Sequence, residues 1–320
     1  MALRFRLHPW DPDTLYTVTE FDQDPDHVAD PYLDLDFEVP EGEWRPLTPG
    51  PSSPRTVRFV DGARRHDAAG TLDDRPCLFV VMGVGSVTSR LGTRVEPPTP
   101  RPARRFVIVG GDERGDVGPV SLPQYGIAYE PRFLRDAERS LAAEAQRLML
   151  EREADLAAEL AAAHPEDLVV VDGPLRRSGS YQNVLGYVKT TRRERLPAAQ
   201  HAVLDALQPG QRTPVYLVRA GDRSIGDRLE WVIRPRPTAR GVDPRQGLVR
   251  VQANSALTPD EARSLADWSA ATLPAYSADY HHDARAPQQL LIVKNLESDL
   301  RRTFGDRELL LSALRGALAA

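Results

Sequence analysis

The chain has 320 residues, of which 41% are hydrophobic and 27% are charged, and its formal net charge at pH 7 is −5. This composition excludes a largely disordered chain, and the negative charge argues against a protein that coats nucleic acid through bulk electrostatics. The single cysteine, Cys77, excludes disulfides and cysteine-based zinc sites within one chain, and residues 1–6 lack the apolar core of a secretory signal, so we expect a cytoplasmic protein without a membrane segment.

Residues 1–54 form a predicted extended arm that is acidic and rich in proline. Residues 11–43 contain many acidic side chains and neither lysine nor arginine. Aromatic side chains recur along the arm, at Trp10, Tyr16, Phe21, Tyr32, Phe37 and Trp44. Because buried aromatic side chains often dominate protein contacts, we expect the arm to pack on protein, either on a partner or on its own domain, which is predicted to cover residues 55–320.

Three strands open the predicted domain, at Thr56–Val60, Cys77–Val84 and Arg105–Val109. The turn signals between them favour an antiparallel meander. The spacing of apolar residues then predicts one long helix over Arg132–Ala163. The continuous apolar run Leu168–Val171 follows, and it predicts a strand that is buried on both faces.

The rest of the chain alternates between shorter predicted elements. Strands are predicted at Val184–Lys189, Pro214–Arg219, Glu230–Arg234 and Leu248–Gln252, and helices at Pro197–Leu207, Pro259–Leu273, Pro287–Arg302 and Asp306–Ala319. Thr258 is the expected N-cap of the second of these helices, with Glu261 at its third helical position. Meander, helix and buried strand is the element order of the ribonuclease H-like fold, so we predict an α/β domain with a mixed sheet flanked by helices.

An Asp-Gly pair follows two of the predicted strands, at Asp61-Gly62 and Asp172-Gly173. Either pair alone is typical of a turn, because glycine tolerates positive φ and aspartate caps the bend. Two copies at the ends of buried strands, with a glutamate-rich helix between them, favour a metal site. Carboxylates that repel one another persist as a cluster when divalent cations neutralise them, and oxygen ligands favour magnesium or manganese. Such a site activates water at a phosphodiester.

Five stretches of the sequence resemble the NurA nuclease family, whose members are partners of HerA-type hexameric DNA translocases in DNA end resection. The stretches are Glu43–Leu47, Phe59–Arg65, Val170–Leu175, Gly186–Lys189 and Arg285–Leu290 followed by Leu296-Glu297. Their order and spacing are similar to those of bacterial members. The resemblance implies a manganese-dependent deoxyribonuclease, exo- or endonucleolytic, with magnesium as an alternative cofactor. It also implies a homodimer that acts in double-strand break repair together with a HerA-type ATPase.

The resemblance further implies a metal site formed by Asp61, Asp172 and a glutamate of the helix between them. We take Glu151 as this glutamate, because it opens the Glu-Arg-Glu-Ala stretch that resembles the family's helix motif. The alternatives are Glu144, Glu153 and Glu159.

A fourth catalytic residue and the DNA contacts are expected near these acids. Asp283, next to His281 and His282, is the candidate for the fourth catalytic position. Basic side chains beside the acids are candidates for phosphate contacts, and these are Arg64, Arg65, Arg176, Arg177 and Lys189. The alternative for each of them is a solvated surface charge.

Two other classes of function compete with the nuclease. A catalytically inert adaptor that docks on an ATPase would lack a metal ligand, whereas both Asp-Gly aspartates are present. A nucleotide hydrolase is disfavoured, because the sequence contains no Gly-x-x-x-x-Gly-Lys-Ser/Thr loop. Any ATP chemistry would therefore belong to the partner.

Overall fold

The computed structural model describes residues 5–9, 12, 32–50, 55–90, 95–113, 117–136, 139–176, 181–189, 196–219, 226–237, 243–279 and 286–319. Its strands are β1 (Phe5–Leu7), β2 (Tyr32–Asp34), β3 (Thr56–Leu72), β4 (Arg75–Arg90), β5 (Thr99–Pro100), β6 (Arg104–Gly110), β7 (Val120–Leu122), β8 (Ile127–Leu134), β9 (Leu168–Asp172), β10 (Val184–Val188), β11 (Tyr216–Arg219), β12 (Arg228–Ile233) and β13 (Val249–Asn254). Its α-helices are α1 (Leu141–Ala163), α2 (Ala198–Ala206), α3 (Pro259–Thr272), α4 (Leu291–Arg302) and α5 (Arg307–Ala319).

The strands form one large mixed sheet. Its centre has the order β6-β4-β3-β9-β10, in which β3 pairs antiparallel with β4 and parallel with β9. The sheet continues through β13, β12, β11 and β2 on one side and through β8 and β7 on the other. The predicted mixed sheet flanked by helices is therefore confirmed. We keep the ribonuclease H-like assignment as an interpretation of the central strand order.

The first core strand is much longer than its apolar run predicted. It continues through Asp61-Gly62 to Leu72 and pairs with β4 over almost its whole length, with an irregularity between His66 and Ala68. The expectation that Asp61-Gly62 ends a strand is therefore wrong, because pairing with the apolar β4 keeps the polar stretch extended. The actual turn is Asp73-Asp74, where both residues have positive φ, as a tight hairpin requires.

The helix predicted over Arg132–Ala163 begins later in the structure, at Leu141. Residues 127–134 form β8, which pairs parallel with β6, and α1 begins only after Ser140, whose side chain accepts a hydrogen bond from Ala143 N at 3.1 Å. Apolar residues spaced like those of a helix thus lie partly in a strand, because sheet pairing overrides local periodicity there. The predicted cap of α3 is confirmed, since Thr258 and Glu261 form a reciprocal capping box.

Helices cover the central strands on both faces. Even-numbered residues of β4, such as Val80 and Met82, pack with Leu141 and Met149 of α1. Odd-numbered residues of β4 lie on the other face of the sheet. A side chain added at Gly85 would contact α4 there. Within the ranges given above, no helix combines the length and apolarity needed to cross a bilayer.

The described parts of the acidic arm pack on the domain that follows it. Strand β1 pairs with the far end of β3, and β2 pairs with β11. The Glu38 carboxylate accepts two hydrogen bonds from Arg212, at 2.8 and 2.9 Å, and both side chains are buried. Trp44 donates its indole N–H to Leu35 O. Trp10 and Phe21 lie outside the described residues, and the boundary between residues 54 and 55 stays our proposal.

Candidate metal centre

Asp61 and Asp172 lie side by side on two parallel strands. The pairing of β3 with β9 runs from Val57 opposite Leu168 to Val60 opposite Val171, so the two aspartates occupy the next position of each strand. Residues at equivalent positions of paired strands point to the same face, and the strands are about 4.8 Å apart. The strand pairing therefore brings the two predicted aspartates together.

A third carboxylate, that of Glu153 on α1, lies against Gly62, the neighbour of Asp61. A Cβ at Gly62 would lie 3.2 Å from Glu153 Cδ and 3.0 Å from Met149 Cγ, and it would overlap Glu153 Oε1. The glutamate side chain thus occupies space that every other residue type at position 62 would fill. Gly62 is required here for close approach rather than for a turn.

Asp61 and Glu153 are buried, and neighbouring carboxylates raise the pKa of each. Burial raises the pKa of Asp61 well above its ordinary value, and the charges of Asp172 and Glu153 raise it further, while Lys189 opposes the shift. Burial and then Asp172 raise the pKa of Glu153 to about 8, against the lowering effect of Arg176. The anionic forms of Asp61 and Glu153 are therefore unfavourable unless a cation stabilises them.

Two polar side chains complete the cluster on the side of β10. Lys189, just after the strand, forms an ion pair with Asp172 and donates a hydrogen bond to Gln289 Oε1 at 3.0 Å. The Gln289 side chain is only 1% exposed, and its backbone carbonyl accepts from Ala278 N at 2.7 Å. Gln289 holds the lysine toward Asp172. Sequence reasoning quoted this residue in a family stretch but assigned it no role.

Among the four candidate glutamates of α1, Glu153 is the one whose charge acts on Asp61, and its side chain lies against Gly62. The carboxylate of Glu151 forms an ion pair with Arg147 of the same helix. Residues two apart on an α-helix differ by about 200° in direction, so Glu151 and Glu153 cannot face the same cluster. Glu144 pairs with Arg147 and Arg139, and Glu159 pairs with Arg101.

We therefore replace Glu151 by Glu153 in the proposed ligand set. A signal for this choice exists in the sequence. Glu153 follows Met149 by four residues and precedes Leu156 and Ala157 by three and four, so it lies on the buried stripe of the helix.

The predicted DNA contacts are distributed over two places. Arg64 and Arg65 line a cleft of about 390 Å³ next to Gly62. Arg64 donates to Gln146 Oε1 at 2.8 Å, whereas Arg65 pairs with the buried Asp67 at 2.8 Å. Arg65 is therefore tied to the fold more firmly than a free phosphate ligand would be.

Arg176 lies instead beside Glu153, in a narrow cleft that Pro174 and Leu150 also line. The cleft has a volume of about 10 Å³, which is close to what one water molecule requires. Arg177, His281, His282 and Asp283 lie outside the described residues. The fourth catalytic position stays a prediction.

A second acidic group lies at the C-terminal end of α1. One ligand atom each of His164, Glu166 and Asp167 lies within 4.8 Å of the others. Asp167 is already paired with Arg58 at 2.8 Å, so one of its oxygens has a protein partner.

One family model matches the chain. The NurA domain model matches residues 55–261, which is more than half of the chain and includes Asp61, Glu153 and Asp172. The crystal structure of the NurA nuclease from Sulfolobus solfataricus is similar with a TM-score of 0.47 and 11% sequence identity, over 86% of this chain and 87% of that one. None of the curated proteins compared with the chain matches it. The match over residues 55–261 shows that the chain belongs to the NurA family.

Proposed function

We propose that the protein is a nuclease that hydrolyses DNA phosphodiesters with a divalent cation held by Asp61, Glu153 and Asp172. The observation that carries the proposal is the proximity of these three carboxylates, which come from two parallel strands and one helix and of which Asp61 and Glu153 are buried. Membership of the NurA family supports the same activity.

The residues present fit a hard divalent cation. Their donors are carboxylate oxygens without a thiolate or imidazole among the three, which suits manganese or magnesium. Three carboxylates face two basic side chains, Lys189 and Arg176, so negative charge is in excess. We propose manganese as the cofactor, with magnesium as an alternative. Such a cation supplies an activated water and stabilises charge on the phosphodiester.

The chain's own side chains orient the substrate. Lys189 carries a point charge beside Asp172, where it can contact a phosphate oxygen, and Gln289 limits its movement. Arg176 is the second basic group at the acids and is suited to bidentate phosphate contact. Arg64 and Arg65 line the adjoining cleft, in which a DNA strand can continue.

The biological setting belongs to the same proposal. We propose that the protein acts in the cytoplasm as a homodimer in DNA end resection and double-strand break repair, together with a HerA-type hexameric ATPase. The absence of a phosphate-binding Gly-x-x-x-x-Gly-Lys-Ser/Thr loop in the sequence supports a separate source of ATP hydrolysis.

The direct test is cleavage by Asp61→Asn and Asp172→Asn variants. Each change removes one anionic ligand, so manganese-dependent cleavage of a DNA oligonucleotide should be abolished while circular dichroism and thermal unfolding stay cooperative. Chelator should stop the wild-type reaction and manganese should restore it. Cleavage at the wild-type rate by either purified variant would reject the site and leave the inert adaptor as the better interpretation.

A further inference from the structure

A group of three arginines lies on the flank of α1 that faces β4 and β6. Arg152 belongs to the helix, Arg104 to β6, and Arg101 to the segment before β6. Together with Val84 and Leu156 they line a cleft of about 230 Å³. The nuclease proposal uses none of these arginines.

The guanidinium groups of this cleft outnumber its carboxylates, which are those of Asp155 and Glu159. The Arg152 Nε–H is buried and has no acceptor among the described residues. Arg101 is paired with Glu159. Like charges brought together at a partly buried position are stabilised when an anion binds between them.

The cleft adjoins the acidic cluster. Val84 is the direct cross-strand partner of Gly62, the residue against which Glu153 packs. Arg152 and Glu153 are consecutive on α1, so their directions differ by about 100°. Arg176 lies beside Glu153 on the opposite flank of the helix. Basic side chains therefore border the helix glutamate on both sides.

We propose that the cleft of Arg101, Arg104 and Arg152 binds a phosphate of a single-stranded DNA backbone outside the catalytic acids. The proposal deepens the nuclease function and rests on it for the identity of the ligand. Guanidinium groups suit this ligand because they bind phosphate oxygens bidentately and do not lose their charge at neutral pH. Contacts of this kind carry no base information, so binding at the cleft is independent of sequence.

The test is the salt dependence of oligonucleotide binding in the presence of EDTA, which excludes cleavage. A double variant, Arg104→Gln with Arg152→Gln, is compared with a control pair, Arg302→Gln with Arg315→Gln, which changes net charge equally. The control arginines are exposed on α4 and α5, and Arg302 is paired with Asp299. The slope of the logarithm of the single-strand binding constant against the logarithm of the salt concentration should become shallower by about 0.7, the value for one lost phosphate contact, in the first variant only. Equal slopes in the two variants would overturn the proposal.

Two further experiments distinguish the ligand of the cleft from the nuclease activity of the protein. Thermal unfolding with inorganic phosphate tests for a small-anion site. A double variant that loses protection by phosphate but keeps the wild-type DNA slope would overturn the assignment to a DNA backbone. Manganese-dependent cleavage is measured separately on the wild-type protein. If the slope changes as expected but manganese supports no cleavage, the phosphate site stands and the nuclease proposal fails.

Discussion

The Glu153 carboxylate occupies the space that a side chain at Gly62 would fill. This relationship joins the helix to the strand that carries Asp61, and it makes a glycine part of the proposed metal site.

Gly62→Ala should impair cleavage without unfolding the protein. The added methyl group displaces the flexible end of Glu153, and a misplacement of about 1 Å in an active site can reduce activity by about 10²-fold. Because the methyl group also crowds Met149, the free energy of unfolding should fall by about 1–3 kcal/mol. Gly118→Ala is the control, because a Cβ at Gly118 meets no atom within 4 Å. Full manganese-dependent activity of Gly62→Ala would show that Glu153 need not approach the strand.

Glu153→Gln and Glu151→Gln should differ sharply in activity. The first removes a buried carboxylate of the cluster, whereas the second removes the partner of Arg147 on a partly exposed helix surface. Glu153→Gln should therefore lose cleavage by about 10²-fold or more, and Glu151→Gln should stay within a few-fold of wild type. Initial rates at saturating manganese measure both. The reverse order would restore Glu151 as the helix ligand.

The stability of the metal-free protein should fall as the pH rises. Glu153 has a pKa of about 8 in the folded protein, above its ordinary value of 4.5. The folded state thus binds this proton more tightly than the unfolded chain does. The stability from this proton is fully present below about pH 4.5 and is lost as the pH rises through about 8.

Chemical denaturation in EDTA across this pH range measures the effect. Glu153→Gln should flatten the profile, because its amide does not titrate, and manganese should recover stability of the wild type at high pH. Parallel profiles of wild type and Glu153→Gln would contradict the assignment.

Glu38→Gln should destabilise the domain although Glu38 lies in the acidic arm. Burial alone would raise the pKa of Glu38, but Arg212 and the Val215 N–H hold it below the ordinary value. Removing one partner of a buried ion pair leaves the other uncompensated and costs about 3 kcal/mol or more. Glu43→Gln, at an exposed position of the same arm, is the control. If Glu38→Gln and Glu43→Gln have equal free energies of unfolding, the ion pair of Glu38 with Arg212 does not stabilise the domain.

The same ion pair limits how the arm can be tested for a docking role. A deletion of residues 1–40 would remove Glu38 together with β2, so any loss of assembly could reflect damage to the domain. A truncation of residues 1–31 keeps both but removes β1, which pairs with β3, so its thermal unfolding must first be compared with that of the full chain. Sedimentation of this shorter truncation with and without a HerA-type ATPase tests whether residues 1–31 contact a partner.

The sequence predicted the elements of the sheet better than the details of the site. Apolar runs located β9 and β10 to within a residue at each end, because both strands are buried on both faces. The length of β3 could not be predicted locally, since the polar stretch after Asp61 is held extended by its pairing with β4. The position of Glu153 on the buried stripe of α1 could have predicted its role, whereas the resemblance of the Glu-Arg-Glu-Ala stretch to the family's helix motif favoured Glu151. Gln289 could not be identified, because its contact with Lys189 joins positions 100 residues apart.

The central claim is that Asp61, Glu153 and Asp172 hold a divalent cation, and diffraction from manganese-soaked crystals tests it most directly. We expect anomalous density between the carboxylates of Asp61 and Asp172, with Glu153 as a further ligand, and the loss of this density in Asp172→Asn crystals. Density at His164, Glu166 and Asp167 instead, or none beside Asp61 at saturating manganese, would contradict it.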